Sequence, residues 1–381
     1  MTSLNLIVNS GSSSLKLSVF ELFQTNKVKH IQERTFKLLA ESDNHQQEIT
    51  DHLNSFLNEI NLDDLKLISH RIVHGGRFYH EPIIIDEKVN KDIKDLAKFA
   101  PLHNLSAVYA IESLKIKLPQ SIQLAFFDTA FFANLPLAAE LYALPISFYN
   151  DLHIQRYGFH GINHEYCYHK IKDYYKHSPA KIVIAHLGAG ASLSAIKDNQ
   201  CVDTTMGFTP LDGLTMATRS GSLDPGIITY LLQEKYSLSQ LNHILNFESG
   251  LKGLSGLTGN FQELIKLTHQ GNESAKLALD IFVHNLKKYI LAMVASLDGL
   301  DCLVFTGGIG ENSAYLRQRI TDELTFLKIK IKRSENDKLK LNSAGLKNIA
   351  KKSSKIKFLV INANENLAIA LKSIPFLMNY S

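Results

Sequence analysis

Long apolar runs are missing from this sequence. No stretch stays apolar for the ~18 residues that a membrane-crossing helix needs, so no membrane partner is expected. The chain enters a strand-like LNLIV within four residues of its first Met, with no basic segment ahead, so no signal peptide is expected. Cysteine is scarce. Cys167, Cys201 and Cys302 are odd in number and far apart, which argues against a disulfide framework and for a reducing, cytoplasmic compartment. Charge of one sign is also missing: 41 Lys and Arg stand against 37 Asp and Glu, a net +4. That balance calls for neither nucleic acid nor a membrane surface. Lysines do gather between Lys328 and Lys357, but no aromatic interleaves them before Phe358, so the run reads as a solvated face.

What is present suits a two-domain α/β protein. The chain has 381 residues, 45% of them hydrophobic, and domains usually hold ~100–200 residues. Two β-rich runs, Leu4–Val8 and Leu15–Phe20, flank a turn made of Asn9, Ser10, Gly11, Ser12, Ser13 and Ser14. Such a turn presents backbone N–H groups and hydroxyls, which suits phosphate oxygens, and Lys16 adds a point charge. Taken alone it is equally an ordinary Ser-rich turn. A second copy changes that balance. Residues 182–197, IVIAHLGAGASLSAIK, repeat strand, small-residue turn and strand. A third glycine turn, Gly307–Asn312 (GGIGEN), follows the apolar run Cys302–Thr306. Two matching hairpins and a late strand with a Gly turn suggest a duplicated fold that binds a nucleotide.

Along the chain, Lys27–Phe36 reads as a strand and Glu41–Leu57 as a polar helix. Leu65–Val73 reads as a strand that ends at Gly75 and Gly76, which puts Arg71 at a strand end, where open α/β sheets bind ligands. His70 and His74 are too far apart on a strand to share a metal. Asp86–Phe99 reads as helical. His103 is expected on a loop and Asn104 as the N-cap of a helix over Leu105–Ile116. Ile122–Phe127 is an apolar strand, with Asp128 at its carboxyl end. Gly158 and Gly161 allow a tight loop that presents His160, and Gly161 is expected to interrupt any helix there, which removes a His160/His164 zinc reading. Residues 206–225 form a Gly-, Thr- and Ser-rich loop carrying Arg219, and long loops of this kind are usually functional. Ile281, Phe282, Leu286, Tyr289, Ile290, Met293, Val294 and Leu297 follow a helical period. Ile356–Ile361 is a strand, and NANEN and a short apolar helix follow it. The domain break is placed at 130, with lobes of 1–130 plus 367–381 and of 131–366.

These motifs together carry a resemblance. NSGSSSLK, SHRIVHGG, APLHN, FDTAF, YGFHG, HLGAGAS, MGFTPLDG, TRSGSLDP, GGIGEN and NEN stand in the order seen in acetate kinases, from Leu6 to about Leu371. The resemblance implies a duplicated ribonuclease H-like fold of the sugar kinase/Hsp70/actin group, with two lobes around a central nucleotide cleft. It implies reversible phosphoryl transfer from ATP to acetate, giving acetyl phosphate and ADP, with Mg2+ (Mn2+ able to substitute). It also implies a homodimer. Lys16, the turn His186, Leu187, Gly188, Ala189 and Gly190, the segment Asn260, Phe261 and Gln262, and Gly308, Ile309, Gly310, Glu311 and Asn312 would contact the nucleotide. Asn9 and Glu365 would lie near or on the metal. Arg71 and Arg219 would bind the carboxylate and the phosphoryl group in transit. His160 would donate a hydrogen bond to the transition state, and Asp128 is the residue usually named catalytic. Val73, Leu102, Phe159 and Pro210 would form the pocket for the methyl group.

Phosphoryl transfer needs alignment and charge neutralisation more than covalent help, and two Arg, a Lys, Mg2+ and a His supply that charge. Acetate has no proton to lose at neutral pH, so Asp128 is expected to orient an Arg or a metal-bound water. Two departures from the family pattern stand out. Ala189 replaces the Asn of LGNG, and Asn260-Phe261-Gln262 replaces DFR. Both remove side chains that would read the nucleotide, so weak base discrimination is expected. A propionate or butyrate kinase is the alternative within the family, and Val73 favours the two-carbon acid. A non-catalytic, actin-like nucleotide clamp is the alternative outside it.

Overall fold

The computed structural model describes residues 2–11, 14–23, 25, 27–38, 44–175 and 179–378, without the side chains of residues 2, 101, 102 and 378. Ser12 and Ser13 of the first turn, the Glu41 start expected for the first helix, and the side chain of Leu102 lie outside the described residues.

One six-stranded sheet holds β1 (Thr2–Ser10), β2 (Ser14–Phe23), β3 (Lys27–Lys37), β4 (Leu65–Ile72), β5 (Ile83–Ile84) and β6 (Ile122–Phe127), in the order β3-β2-β1-β4-β6-β5. The other holds β7 (Lys181–Leu187), β8 (Ala191–Lys197), β9 (Gln200–Thr204), β10 (Cys302–Thr306), β11 (Leu346–Asn348) and β12 (Lys357–Ile361), in the order β11-β12-β10-β7-β8-β9. Read from the opposite edge, the second order repeats the first. In both, two antiparallel hairpins lead into three parallel strands, and a short antiparallel strand closes the far edge. The duplication seen in the hairpin sequences therefore extends to whole sheets.

The central strands read as near-continuous apolar runs because both faces are covered. Leu6, Val8, Leu15 and Leu17 pack under Ile49, Leu53 and Phe56 of the helix His45–Leu57. A second cluster joins Ile72 and Phe127 to Val89, Ile93, Val108 and Ile111. At the open edge, β3 is mostly exposed and carries Lys, Glu and Arg, charges that discourage pairing with another chain. All three cysteines are buried and free. Among the described residues no helix is long and apolar enough to cross a membrane.

Packing divides the chain into Met1–Ala133, Phe159–Tyr166 and Asn364–Ser381 as one unit, and Asn134–Gly158 and Cys167–Ala363 as the other. Phe159, His160 and Glu365 thus pack with the first unit, whereas the expected break at 130 puts them in the second. Three further expectations are corrected. The helix after APLHN is Pro101–Lys117, with Pro101 in its first turn. His103 and Asn104 are therefore inside the helix, and Asn104 is not its N-cap. A helix runs Gly161–Tyr174, so Gly161 opens it. Gly307–Asn312 is itself a short helix.

Candidate active site

In the first unit the strand ends gather a charged cluster. Asn9 at the end of β1 lies beside Arg71 of β4 in the parallel register. Asp128 follows β6 directly, and its N–H donates to Ile72 O (2.9 Å). Glu365 opens the helix Glu365–Met378, with Asn364 Oδ1 accepting from Leu367 N (3.0 Å). The motif NEN divides accordingly: the first Asn caps, the Glu faces the cluster, and Asn366 donates to Ser18 Oγ (2.6 Å).

Arg71 is the centre. Its Nε and Nη2 both donate to Asp128 Oδ2 (3.0 and 2.5 Å), and Nη1 donates to Asn9 Oδ1 (3.1 Å). Nη1 also lies 3.1 Å from Glu365 Oε2. Asn9 Nδ2 donates to that same oxygen (3.1 Å), so the Asn9 amide bonds both partners of the ion pair. Lys16 is held by Glu33 (3.1 Å), and Glu33 accepts from Ser18 Oγ (2.8 Å). These bonds link Lys16 through Glu33, Ser18 and Asn366 to Asn9, whose Nδ2 lies 3.5 Å from Asn366 Oδ1.

One guanidinium faces two carboxylates, so the cluster carries a net negative charge. Burial, then repulsion from Glu365, push Asp128 up to about 6, against the pull of Arg71. The two carboxylates hold Arg71 charged, with its pKa raised. Asp128 Oδ1 is buried and makes no hydrogen bond. An orphaned carboxylate oxygen beside a surplus negative charge is what a divalent cation would satisfy. Mg2+ usually takes one or two carboxylates and completes its shell with water and substrate phosphates. The residues present fit such an ion. Among the described residues no set of three His, Cys, Asp or Glu could hold a metal by itself.

The neighbouring backbone is clamped. Gly75 N donates to Thr129 Oγ1 (3.0 Å), and Asn104 bonds both the N–H and the C=O of His74 (3.1 Å each). Val73, between Arg71 and this clamp, is buried. Phe159 is buried as well, its ring centroid 5.6 Å from that of His74. His160 holds a left-handed backbone, φ 60°, which costs a non-glycine residue about 1 kcal/mol. Gly161 N donates to Asp128 O (2.9 Å), and a Cβ on Gly161 would lie 2.1 Å from that oxygen. Only glycine lets the two segments meet there.

In the second unit the expected nucleotide segments converge through backbone contacts. Gly188-Ala189-Gly190 forms a tight turn, with Gly188 N donating to Gly190 O (3.0 Å). Gly307, at φ 80°, sits on the backbone of Leu187, where a Cβ would come within 2.8 Å of the carbonyl oxygen. Ala217 N donates to Ala189 O (3.1 Å), and Gly259 lies against Ala217 O. The loop bearing Arg219 is stitched down at Met216, Ala217, Thr218 and Ser220. Arg219 Nη1 reaches Pro210 O (3.5 Å).

Several expected nucleotide side chains are occupied by the protein. Asn260 Oδ1 caps the helix Phe261–His269 through Gln262 N and Glu263 N (3.0 and 3.2 Å). Phe261 is buried with its ring on Phe282, 5.2 Å between centroids. It is a core residue, as the first inward position of an amphipathic helix must be. Glu311 holds Asn362 Nδ2 and Ala363 N (2.6 and 2.9 Å), and Asn312 bonds Gly308 O (2.9 Å). Gly188, Ala189, Gly190, Gly308 and Gln262 keep accessible surface.

Sequence reasoning passed over Arg317 and Asn336. Arg317 is buried and donates to Gly310 O and Glu311 O (2.8 Å each) and to Asn336 Oδ1 (2.7 Å). Its only signal was an Arg seven residues after a glycine of GGIGEN. His74, Asn104 and Thr129 were inside quoted motifs, yet their pairing has no local signature.

The profile of the Acetokinase family matches residues 4–371. The acetate kinase of Treponema denticola is 37% identical over 390 aligned residues, which cover 96% of this chain and 97% of that protein. A propionate kinase of Francisella tularensis superposes with a TM-score of 0.85 at 33% identity, covering 97% of this chain and 98% of its own. The acetate kinase of Porphyromonas gingivalis gives 0.84 at 29% identity, covering 98% and 100%.

Proposed function

The chain belongs to the acetokinase family, and from that premise we propose that it moves a phosphoryl group between ATP and acetate, forming acetyl phosphate and ADP. The observation that carries the reading is Arg71, which Asp128, Asn9 and Glu365 together orient at a strand end while its side chain stays partly exposed. A carboxylate or a phosphoryl oxygen fits a planar fork of this kind. Asp128 acts here as the group that aims Arg71. The acceptor is already an anion, so nothing requires a base. Mg2+ would be held by Glu365 and Asp128, and when bound it neutralises charge on the transferring phosphates. Asn9 bonds both Arg71 and Glu365. Val73, Phe159, Leu102 and Pro210 take the methyl group, Arg219 and His160 the phosphoryl oxygens, and Lys16 with the turns at 186–190 and 308–312 the nucleotide. A nucleotide clamp without turnover has no use for a partly exposed guanidinium held between two carboxylates.

The likeness to a propionate kinase favours overlap in acid choice. One methylene is worth only ~1–3 kcal/mol in such a pocket. A homodimer is supported by the helix Pro225–Gln233, none of whose residues is buried although Ile227, Tyr230 and Leu232 are apolar and exposed.

The test is acetyl phosphate formation with ATP, GTP and pyrophosphate as donors. ATP and GTP should support turnover with kcat/KM within about tenfold of each other, because Ala189 and the neutral amides Asn260 and Gln262 stand where the family pattern has Asn, Asp and Arg, and Asn260 is spent on its helix cap. Nucleotide binding without acetyl phosphate would overturn the kinase reading. A large preference for ATP would overturn only the reading of Ala189, Asn260 and Gln262.

A further inference from the structure

We propose that His74 is a specificity-determining positioning residue: wedged between Phe99 and Phe159, its ring holds Phe159 against the acid and so sets the depth of the pocket. This rests on the reading that Val73 and Phe159 line that pocket. His74 has no exposed surface, and each of its freedoms is removed separately. Asn104 Oδ1 accepts from the His74 N–H and Asn104 Nδ2 donates to its C=O, which pins the backbone next to Val73. Nδ1 accepts from Gly76 N (3.0 Å), which fixes the ring torsion and puts the proton on Nε2. One face stacks on Phe99 (centroids 5.1 Å apart, 30°), and the ring meets Phe159 in an edge contact (5.6 Å, 62°). Phe159 in turn lies two residues before Gly161, whose N–H donates to Asp128 O. Phe159 therefore cannot retreat along its backbone, and the His74 ring limits its retreat through the side chain. Burial also holds His74 down to about 3, so the wedge keeps one charge state across the working range.

The experiment compares acetate and propionate in steady-state kinetics of the full chain. His74→Phe keeps a ring and loses the acceptor for Gly76. His74→Asn keeps an acceptor and loses the ring. His74→Phe should retain the wild-type acetate-to-propionate ratio of kcat/KM within about threefold. His74→Asn should narrow that ratio about tenfold, leave KM for ATP unchanged, and show the same ratio at pH 6 and pH 8. An unchanged ratio in His74→Asn overturns the proposal. So does a fall in kcat for both acids together with a shifted KM for ATP, since a merely structural residue would produce that. If His74→Asn does not fold, Phe99→Leu, which removes the far face of the stack, must move the ratio in the same direction. Val73→Ala separates the premises. If it leaves the ratio unmoved, the pocket itself is misplaced; if it moves the ratio and His74→Asn does not, only the wedge fails.

Discussion

Asp128 is a residue whose charge serves activity at the expense of stability. Its ordinary pKa near 3.8 is raised to about 6, first by burial and then by Glu365. The folded state thus binds a proton more tightly than the unfolded one between pH 3.8 and 6, so this group stabilises most at the acid end, and that contribution is lost as pH rises through 6. Activity runs the other way, because protonation removes the charge that aims Arg71. The expected profile of kcat/KM for acetate has an acid limb with a slope of one proton, lying below pH 6 with Mg2+ bound because a cation beside Asp128 favours its charged form. Asp128→Asn should lower the plateau about 10²-fold and abolish the limb. A variant with nearly full turnover would mean that Arg71 aims itself through Asn9 and Glu365 alone. Arg71 and Asp128 were legible in the sequence because each stands at the end of a strand, whereas Asn9 and Glu365 entered only through the family resemblance. The pairing of Asn104 with His74 was not legible: the partners are thirty residues apart, and an Asn after Pro-Leu-His reads locally as a cap.

At the scale of elements, two local rules were overruled by tertiary contact. Asn104 was outcompeted as a helix start by Pro101, which suits the first turn because its missing N–H would be unpaired there anyway. The glycines Gly161 and Gly307 read as breakers, yet each opens a helix, because each lies where another backbone approaches too closely for a Cβ. The β1–β2 and β7–β8 hairpins, by contrast, were readable to within three residues, since alternation and Gly/Ser turns are local signals. Gly161→Ala isolates the close approach. Helix propensity favours alanine by about 1 kcal/mol, but the added methyl overlaps Asp128 O. A net destabilisation of about 1–3 kcal/mol is expected, with a loss of kcat at least tenfold because His160 and Asp128 shift together. Thermal melting and single-turnover rates check this. A stabilised, fully active variant would show that the loop relaxes without moving either residue.

At the scale of the whole molecule, the repeated strand order explains why the chain carries its chemistry in two sets. In the register of the sheets, Asn9 beside Arg71 occupies the place that His186 beside Thr306 occupies in the second copy. One copy has filled its strand ends with charge, and the other has kept them small and backbone-rich. Folding alone does not account for the apolar helix Pro225–Gln233, whose residues are all at least partly exposed, nor for the exposed Tyr236 and Leu238 that follow it. Contiguous exposed apolar surface on a protein of this kind marks an interface, and a second copy of the chain is the partner the family resemblance supplies. Wild type should therefore sediment as a dimer at micromolar concentration. The double variant Ile227→Asp, Tyr230→Asp should sediment as a monomer, because two buried carboxylates per subunit would have no cation to meet. Since neither residue belongs to the proposed site, the monomer should still form acetyl phosphate. A wild-type monomer, or a double variant that remains dimeric, would mean that these helices serve some other surface and that the chain associates elsewhere or not at all.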